Sequence, residues 1–496
     1  VSAESPADVA FAKDAVQSAR AAPLARRFKL EYGAGAVANG VVTAGLAFFL
    51  LFYLTAVGGL SGTLAGLAQL VALLIDAIAD PAIGLASDRV RSRLGRRLPF
   101  MIASLAPFAG GFGLLFSIPV SLSGVELFLY VTVCLIVVRL SLSCFVLPFT
   151  AVGAEATDNY HERANIVAYR LSFENVGVLC AVVLGLGVFM SGPTGLLVRH
   201  NYLSFAWTCA AVVALTGLLA IAAVRRELNR LHGAKPEQAP FLASFVREFT
   251  ELLRNRSFLA LFATVLIYFI AYCTAGALAL HASRYFWRLD SFATQLVLLS
   301  PTLGPLLGAP ISTFALHYVE KRTLSICAFM GIALFMVWPA LFQLYGPFSL
   351  NPAAAAVTLS VNGVLLGTAI MAGGIGFQSM LADTADEHEW LFGVRREGLF
   401  FSGLTLAYKA AAGLGGLIAG VALDVIHFPV NLAAHGSAAT IPNDVLEKLA
   451  LISGPLPALF VAISPLFLFG YHLTRKKHRQ VIAELEQRNT GKSDVR

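Results

Sequence analysis

The feature that most limits this chain is a recurrence. Apolar runs about as long as a bilayer is thick follow one another from end to end. Twelve can be delimited, at 33–57, 62–86, 99–119, 125–150, 166–190, 203–224, 258–282, 291–317, 323–345, 353–380, 399–424 and 451–473. A helix needs about 20 apolar residues to cross hydrocarbon. Lipid offers no partner to backbone N–H and C=O groups, so only helices and closed barrels span it. Barrel strands alternate apolar and polar residues, and these runs do not. The expected fold is therefore an all-α membrane protein of twelve transmembrane helices. The charge content agrees: 13% of the 496 residues are charged, against roughly 25% in soluble domains.

Lys and Arg set the orientation, because basic loops stay in the cytoplasm. Basic residues precede span 1 (Arg26, Arg27, Lys29), join spans 2 and 3 (Arg89, Arg91, Arg93, Arg96, Arg97), and follow spans 6 and 12. The intervening loops hold few. Both termini are expected inside, as an even span count requires, in the plasma or inner membrane of a cell. The net charge of +7 then matches anionic lipid and calls for no nucleic-acid partner. The first 30 residues are polar and do not read as a signal peptide. The six cysteines all fall inside spans, outside any CxxC pair, which suits apolar packing better than disulfides or metal.

The longest polar connection, 225–257, follows span 6. Within it Phe241, Leu242, Phe245, Phe249, Leu252 and Leu253 share one helical face, the pattern of an amphipathic helix lying on the membrane surface. The expected organisation is a cytoplasmic segment 1–32, a six-helix bundle 33–224, this linker, a second bundle 258–473 and a tail 474–496. The bundles are weakly repeated. "GAEATDNYHERANI" after span 4 aligns with "LADTADEHEWLFGVRREG" after span 10, pairing Glu155 with Asp383 and Asp158 with Asp386. "GRRLPF" between spans 2 and 3 has an echo in "EKRTLS" between spans 8 and 9. Repeated halves point to a secondary transporter with a midplane site.

Ionisable residues at membrane depth are costly and mark function. Here they are Asp76 and Asp80 in span 2, Arg139 in span 4, Arg170 and Glu174 in span 5, and Lys409 in span 11. Arg170 and Glu174 are four apart and suited to pair locally. Asp76 and Asp80 also share a helical face, where two like charges repel. Pro81 follows and has no N–H, so the Ala77 carbonyl loses its helical donor. Two carboxylates and a spare carbonyl suit Na+ or a proton, not a soft metal. Arg139 and Ser143 lie one turn apart, and Asn39, Asn362 and Gln378 add polar groups that suit a polar or anionic solute. Asp88 beside Arg89, Arg96 and Arg97 reads as a charge latch at the inner face. Asp383, Asp386, Arg395 and Arg396 are the corresponding candidates in the second half.

"DAIADPAIGLASDRVRSRLGRRLPF" closely resembles the span 2 signature of the glycoside–pentoside–hexuronide:cation symporters, the melibiose-permease-like branch of the major facilitator superfamily. "YGAGAVANG" and "LADTADEHEWLFGVRREGLFFSGLTLAYK" resemble two further segments of that family. The resemblance implies a major facilitator fold of two pseudo-symmetric halves and cation-coupled sugar uptake. It implies Asp76 and Asp80 as cation ligands, Ser143 as a hydroxyl near both ligands, and Arg170 and Lys409 beside the solute. The pattern also departs from the family. Asn39-Gly40 stands where galactoside-binding members carry Lys-Asp, and Val146 stands where they carry an Asp. Arg139 and Glu174 are then the candidates to recognise the solute.

The expected activity is symport of Na+ or H+ with a sugar, glycoside or uronide by alternating access, by a monomer needing no cofactor beyond the coupling ion. A lysophospholipid or other amphipath carrier is the alternative. A membrane-embedded transferase using Asp76 and Asp80 is a poorer fit, because the arginines beside Asp88 oppose a metal cage.

Overall fold

The computed structural model describes residues 24–90, 92–157, 159–192, 194–227, 252, 254–393, 397–435 and 441–493. Among them are twelve helices long and apolar enough to cross a membrane, and no strand. They are α1 (Arg26–Val57), α2 (Gly62–Arg89), α3 (Leu98–Leu115), α4 (Gly124–Glu155), α5 (His161–Phe189), α6 (Arg199–Arg226), α7 (Arg256–Phe286), α8 (Ser291–Tyr318), α9 (Lys321–Tyr345), α10 (Pro352–Phe392), α11 (Gly403–Val425) and α12 (Asn443–Gly470). A further long helix, α13 (Arg475–Ser493), is polar. The proposed amphipathic segment 241–255 lies almost wholly outside the described residues, as do Arg395 and Arg396.

Helix starts follow capping chemistry. Asn159 accepts from the N–H groups of His161 and Glu162, Asn255 from Phe258, Asp290 from Ala293 and Asn351 from Ala354. Each cap satisfies a donor that the first turn leaves open. Several boundaries differ from the sequence reading, α12 among them, which begins at Asn443 and not at 451; two others bear on the site. Helix α1 begins at Arg26, not at 33, because the polar turn is held from outside: Lys29 pairs with Glu162 at 2.7 Å, and Glu31 with Arg226. Helix α10 continues past the apolar run to Phe392, so Asp383, Asp386 and Glu387 lie on a helix instead of in a loop.

The chain forms two compact units. One comprises Val1–Leu60, Ala68–Leu242 and Asn431–Gly436; the other comprises Ser61–Leu67, Ala243–Val430 and Ser437–Arg496. In the first, an aromatic cluster fills the core. Tyr53 packs on Phe116 and Tyr202, Phe49 on Phe205, and the Tyr53 hydroxyl donates to the Phe116 carbonyl at 2.8 Å. Helices α1 and α5 cross with their backbones touching. A Cβ on Gly40 would stand 2.0 Å from the Glu174 carbonyl oxygen, and one on Gly177 would stand 2.3 Å from that of Val37.

In the second unit, Pro339 sits inside α9, so the carbonyl four residues back, on Phe335, has no helical donor. Asn362 of α10 supplies one: its Nδ2 donates to Phe335 O at 2.9 Å. Its Oδ1 accepts from the Trp338 indole at 2.6 Å. Asn362 was expected among the solute-facing groups; both ends of its amide are instead spent tying α10 to α9.

Candidate functional site

The intramembrane charges of the first unit come from three helices, α2, α4 and α5. Asp76 of α2 is 2% exposed, and the Ser143 hydroxyl of α4 donates to its Oδ1 at 2.6 Å. Asp80, one turn on, is half-buried, as is Ala77 between them. Pro81 lies within the continuous helix, so the Ala77 carbonyl lacks its usual donor. Both aspartates are near enough to Cys144 to act on it electrostatically. The structure thus brings three of the four proposed cation-site side chains or carbonyl carriers into one turn of α2, with the fourth, Ser143, bonded to Asp76.

The solute candidates split. Asn39 of α1 donates from Nδ2 to Glu174 Oε1 of α5 at 2.7 Å. This contact depends on the glycine crossing of α1 and α5 next to it. The expected local pair of Arg170 with Glu174 is corrected: the carboxyl group takes its hydrogen bond from Asn39, and Arg170 acts on it only through the field. A cross-helix amide at 2.7 Å is better placed than a guanidinium one turn away on the same helix. Arg139 is half-buried on α4, one turn before Ser143. Lys409 is half-buried on α11, in the second unit. Gln378 is exposed.

The latch candidates form a knot in the first unit. Arg97, at the start of α3, pairs with Asp88 at the end of α2. It also reaches Glu155 at the end of α4 at 2.9 Å and the Ser87 hydroxyl at 2.8 Å. Arg96 approaches Glu155 at 3.5 Å. Arg89 is exposed at the helix end; of the three arginines expected with Asp88, Arg97 takes its carboxylate. The second unit repeats part of the knot: Lys321, at the start of α9, pairs with Asp383 near the end of α10 at 2.7 Å. These are the positions that the internal alignment paired. Asp386 meets His478 of α13 at 3.1 Å. Glu155 and Lys321 carried a signal in that alignment; His478 carried none.

Six free cysteines are present. Among the described residues, no group of three or more His, Cys, Asp or Glu is arranged to hold a metal ion. The intramembrane groups are hard oxygen ligands and guanidinium donors, suited to binding and exchanging small ions and polar solutes.

Residues 31–475 match the family model described as MFS/sugar transport protein. The chain belongs to this family. It is a multi-pass membrane transporter and not an enzyme, which removes the transferase reading. The match agrees with the resemblance to the glycoside–pentoside–hexuronide:cation symporters. Among its relatives is an uncharacterized symporter of Synechocystis sp., 26% identical over 95% of this chain and 98% of the relative. Another is a glucuronide carrier protein homolog of Escherichia coli, 25% identical over 92% and 94%. The solved xylose transporter XylE from E. coli is similar in fold, with TM-score 0.55 and 14% identity over 92% of this chain and 98% of XylE. The transporter therefore has the major facilitator fold.

Proposed function

We propose that this transporter carries a sugar-like solute, a glycoside or uronide, in symport with Na+ or H+, by alternating access, with both termini in the cytoplasm of the cell whose plasma or inner membrane holds it. The observation that carries the reading is the Asp76–Ser143 bond beside Asp80 and Pro81. A carboxyl group this buried is expensive unless compensated. Away from the helix ends, at membrane depth, the first unit holds three acids, Asp76, Asp80 and Glu174, and two guanidinium groups, Arg139 and Arg170. One formal negative charge is left over, and a monovalent cation removes it.

Glu174 with Asn39 offers an acceptor for sugar hydroxyls. Arg139 and Arg170 offer forked donors that match a carboxylate. That combination favours a uronide over a neutral sugar, in keeping with the kinship to a glucuronide carrier homolog. The galactoside-binding members carry acids where this chain has Gly40 and Val146; Glu174 offers an acid from α5 instead.

The test is uptake by vesicles containing the purified protein, with a panel of labelled glycosides and uronides and an imposed Na+ or H+ gradient. Accumulation above the external concentration is expected for at least one uronide, and only with one of the two gradients. Equal uptake with and without both gradients would refute coupling. Gradient-driven uptake confined to lysophospholipids would instead favour an amphipath carrier.

A further inference from the structure

Helix α13 has two faces that do different things. One carries Lys477, His478, Val481, Glu484 and Arg488, which fall together at 100° per residue. This face is fixed to α10. Lys477 approaches Glu387 at 3.9 Å, and His478 meets Asp386. Glu484 accepts from the Trp390 indole at 2.7 Å, and Arg488 donates to the Trp390 carbonyl at 2.9 Å. Val481 is 3% exposed beneath them. The other face carries Arg475, Lys476, Arg479, Gln480 and Ala483, and with Glu320 it borders a cavity of about 510 Å³.

None of the contacts to α10 uses a cavity residue. The cavity wall is therefore held in place by bonds made elsewhere, and its own charges remain available. Arg475 is oriented as well: its guanidinium donates to the carbonyls of Leu316 and Val319 at the end of α8. Lys476 and Arg479 are exposed. Three cations face one carboxylate, so the cavity is electropositive.

Its position decides what fills it. The cavity lies between the start of α9 and the residues just beyond Gly470, where the last span ends. The neighbouring span ends present Phe314, Tyr318 and Phe469 outward, at 67%, 76% and 60% exposure, and Arg322 covers the Phe469 ring at 4.9 Å. Apolar side chains next to a basic concavity are what an amphiphile needs: acyl chains on the spans, headgroup among the cations. Basic pockets at the ends of membrane helices bind anionic headgroups in this way.

We propose that this cavity is a binding site for the phosphate-bearing headgroup of an anionic phospholipid, held by Lys476 and Arg479, with Arg475 at its inner edge and Glu320 opposing. The phosphate makes charge-assisted hydrogen bonds to the ammonium and guanidinium groups. Glu320 weakens the site by repulsion, which gives the test a variant of opposite sign.

The test uses the full-length protein, delipidated in detergent and titrated with dioleoylphosphatidylglycerol under native mass spectrometry. Dioleoylphosphatidylcholine and inorganic phosphate are the comparison ligands. A saturable phosphatidylglycerol adduct is expected, weakened roughly ten- to thirtyfold in Lys476→Ala/Arg479→Ala. Glu320→Gln is expected to bind more tightly than the parent, an effect that misfolding does not produce, and Arg479→Lys to restore most of the affinity lost in Arg479→Ala. Equal affinity in the parent, the double variant and Glu320→Gln would overturn the proposal. Phosphatidylcholine binding as tightly as phosphatidylglycerol would overturn the anionic requirement. Displacement of the lipid by millimolar inorganic phosphate would show the occupant to be a soluble anion and overturn the lipid assignment.

Discussion

Gly40→Ala is the sharpest perturbation of the candidate solute site, although it removes no polar atom. The new methyl would stand 2.0 Å from the Glu174 carbonyl oxygen and 3.0 Å from the Val178 amide nitrogen. Both are backbone atoms, so no side chain can turn away. Restoring ordinary contact requires α1 and α5 to part by about 1.2 Å, and overpacking of this kind costs about 1–3 kcal/mol. The same displacement stretches the 2.7 Å Asn39–Glu174 bond beyond hydrogen-bonding reach. A hydrogen bond between membrane helices is worth about 1–2 kcal/mol. The combined loss is then roughly 2–5 kcal/mol. Purified Gly40→Ala should melt at a lower temperature than the parent, and its solute affinity should fall further than that of Asn39→Ala, which spares the crossing. Gly177→Ala strains the same crossing from the other side, so the double variant should lose less than the sum of the singles. Gly84, with open space where a Cβ would be added, is the control. Gly40→Ala with the melting temperature and solute affinity of Gly84→Ala would refute the reasoning.

Asp76→Asn and Asp80→Asn should each abolish ion-driven accumulation in vesicles while leaving some downhill movement; full accumulation by both would make the pair structural. Arg139→Ala should weaken solute binding about ten- to a hundredfold, the worth of a charged hydrogen bond, as read by calorimetry on folded protein. Lys409→Ala should uncouple, moving solute down its gradient without concentrating it; wild-type accumulation would remove Lys409 from coupling. Topology is checked with single cysteines: Lys476→Cys should react with an impermeant thiol reagent only in inverted vesicles and Lys448→Cys only in intact cells, and the reverse pattern would invert the orientation.

The sequence is informative about depth and poor about azimuth. Twelve apolar runs were visible because lipid demands a length. The crowding of Asp76, Asp80 and Pro81 was visible because the three are sequence neighbours. That the Ser143 hydroxyl would meet Asp76 rested on the resemblance, since 67 residues separate them and periodicity does not say which faces of α2 and α4 meet. The same ignorance made Arg170 the apparent partner of Glu174, because a neighbour four residues away can be read locally and Asn39, 135 residues away, cannot. The end of α10 was misplaced because its last turns are polar; they are helical because α9 and α13 bring Lys321 and His478 to them.

Asn362 and Pro339 also constrain each other. A proline arriving at 339 in a chain without a side-chain donor at 362 would have left the Phe335 carbonyl orphaned, at about 1–3 kcal/mol. The asparagine arriving first would have cost little, since its amide had the Trp338 indole to accept from. The two residues are thus coupled asymmetrically: once both are present, only the proline is easily lost alone. Losing the proline merely returns a peptide N–H to the helix, whereas losing the asparagine strands a carbonyl. Lineages that retain Pro339 should therefore be bound to retain a donor at 362, while lineages that retain Asn362 remain free to discard the proline.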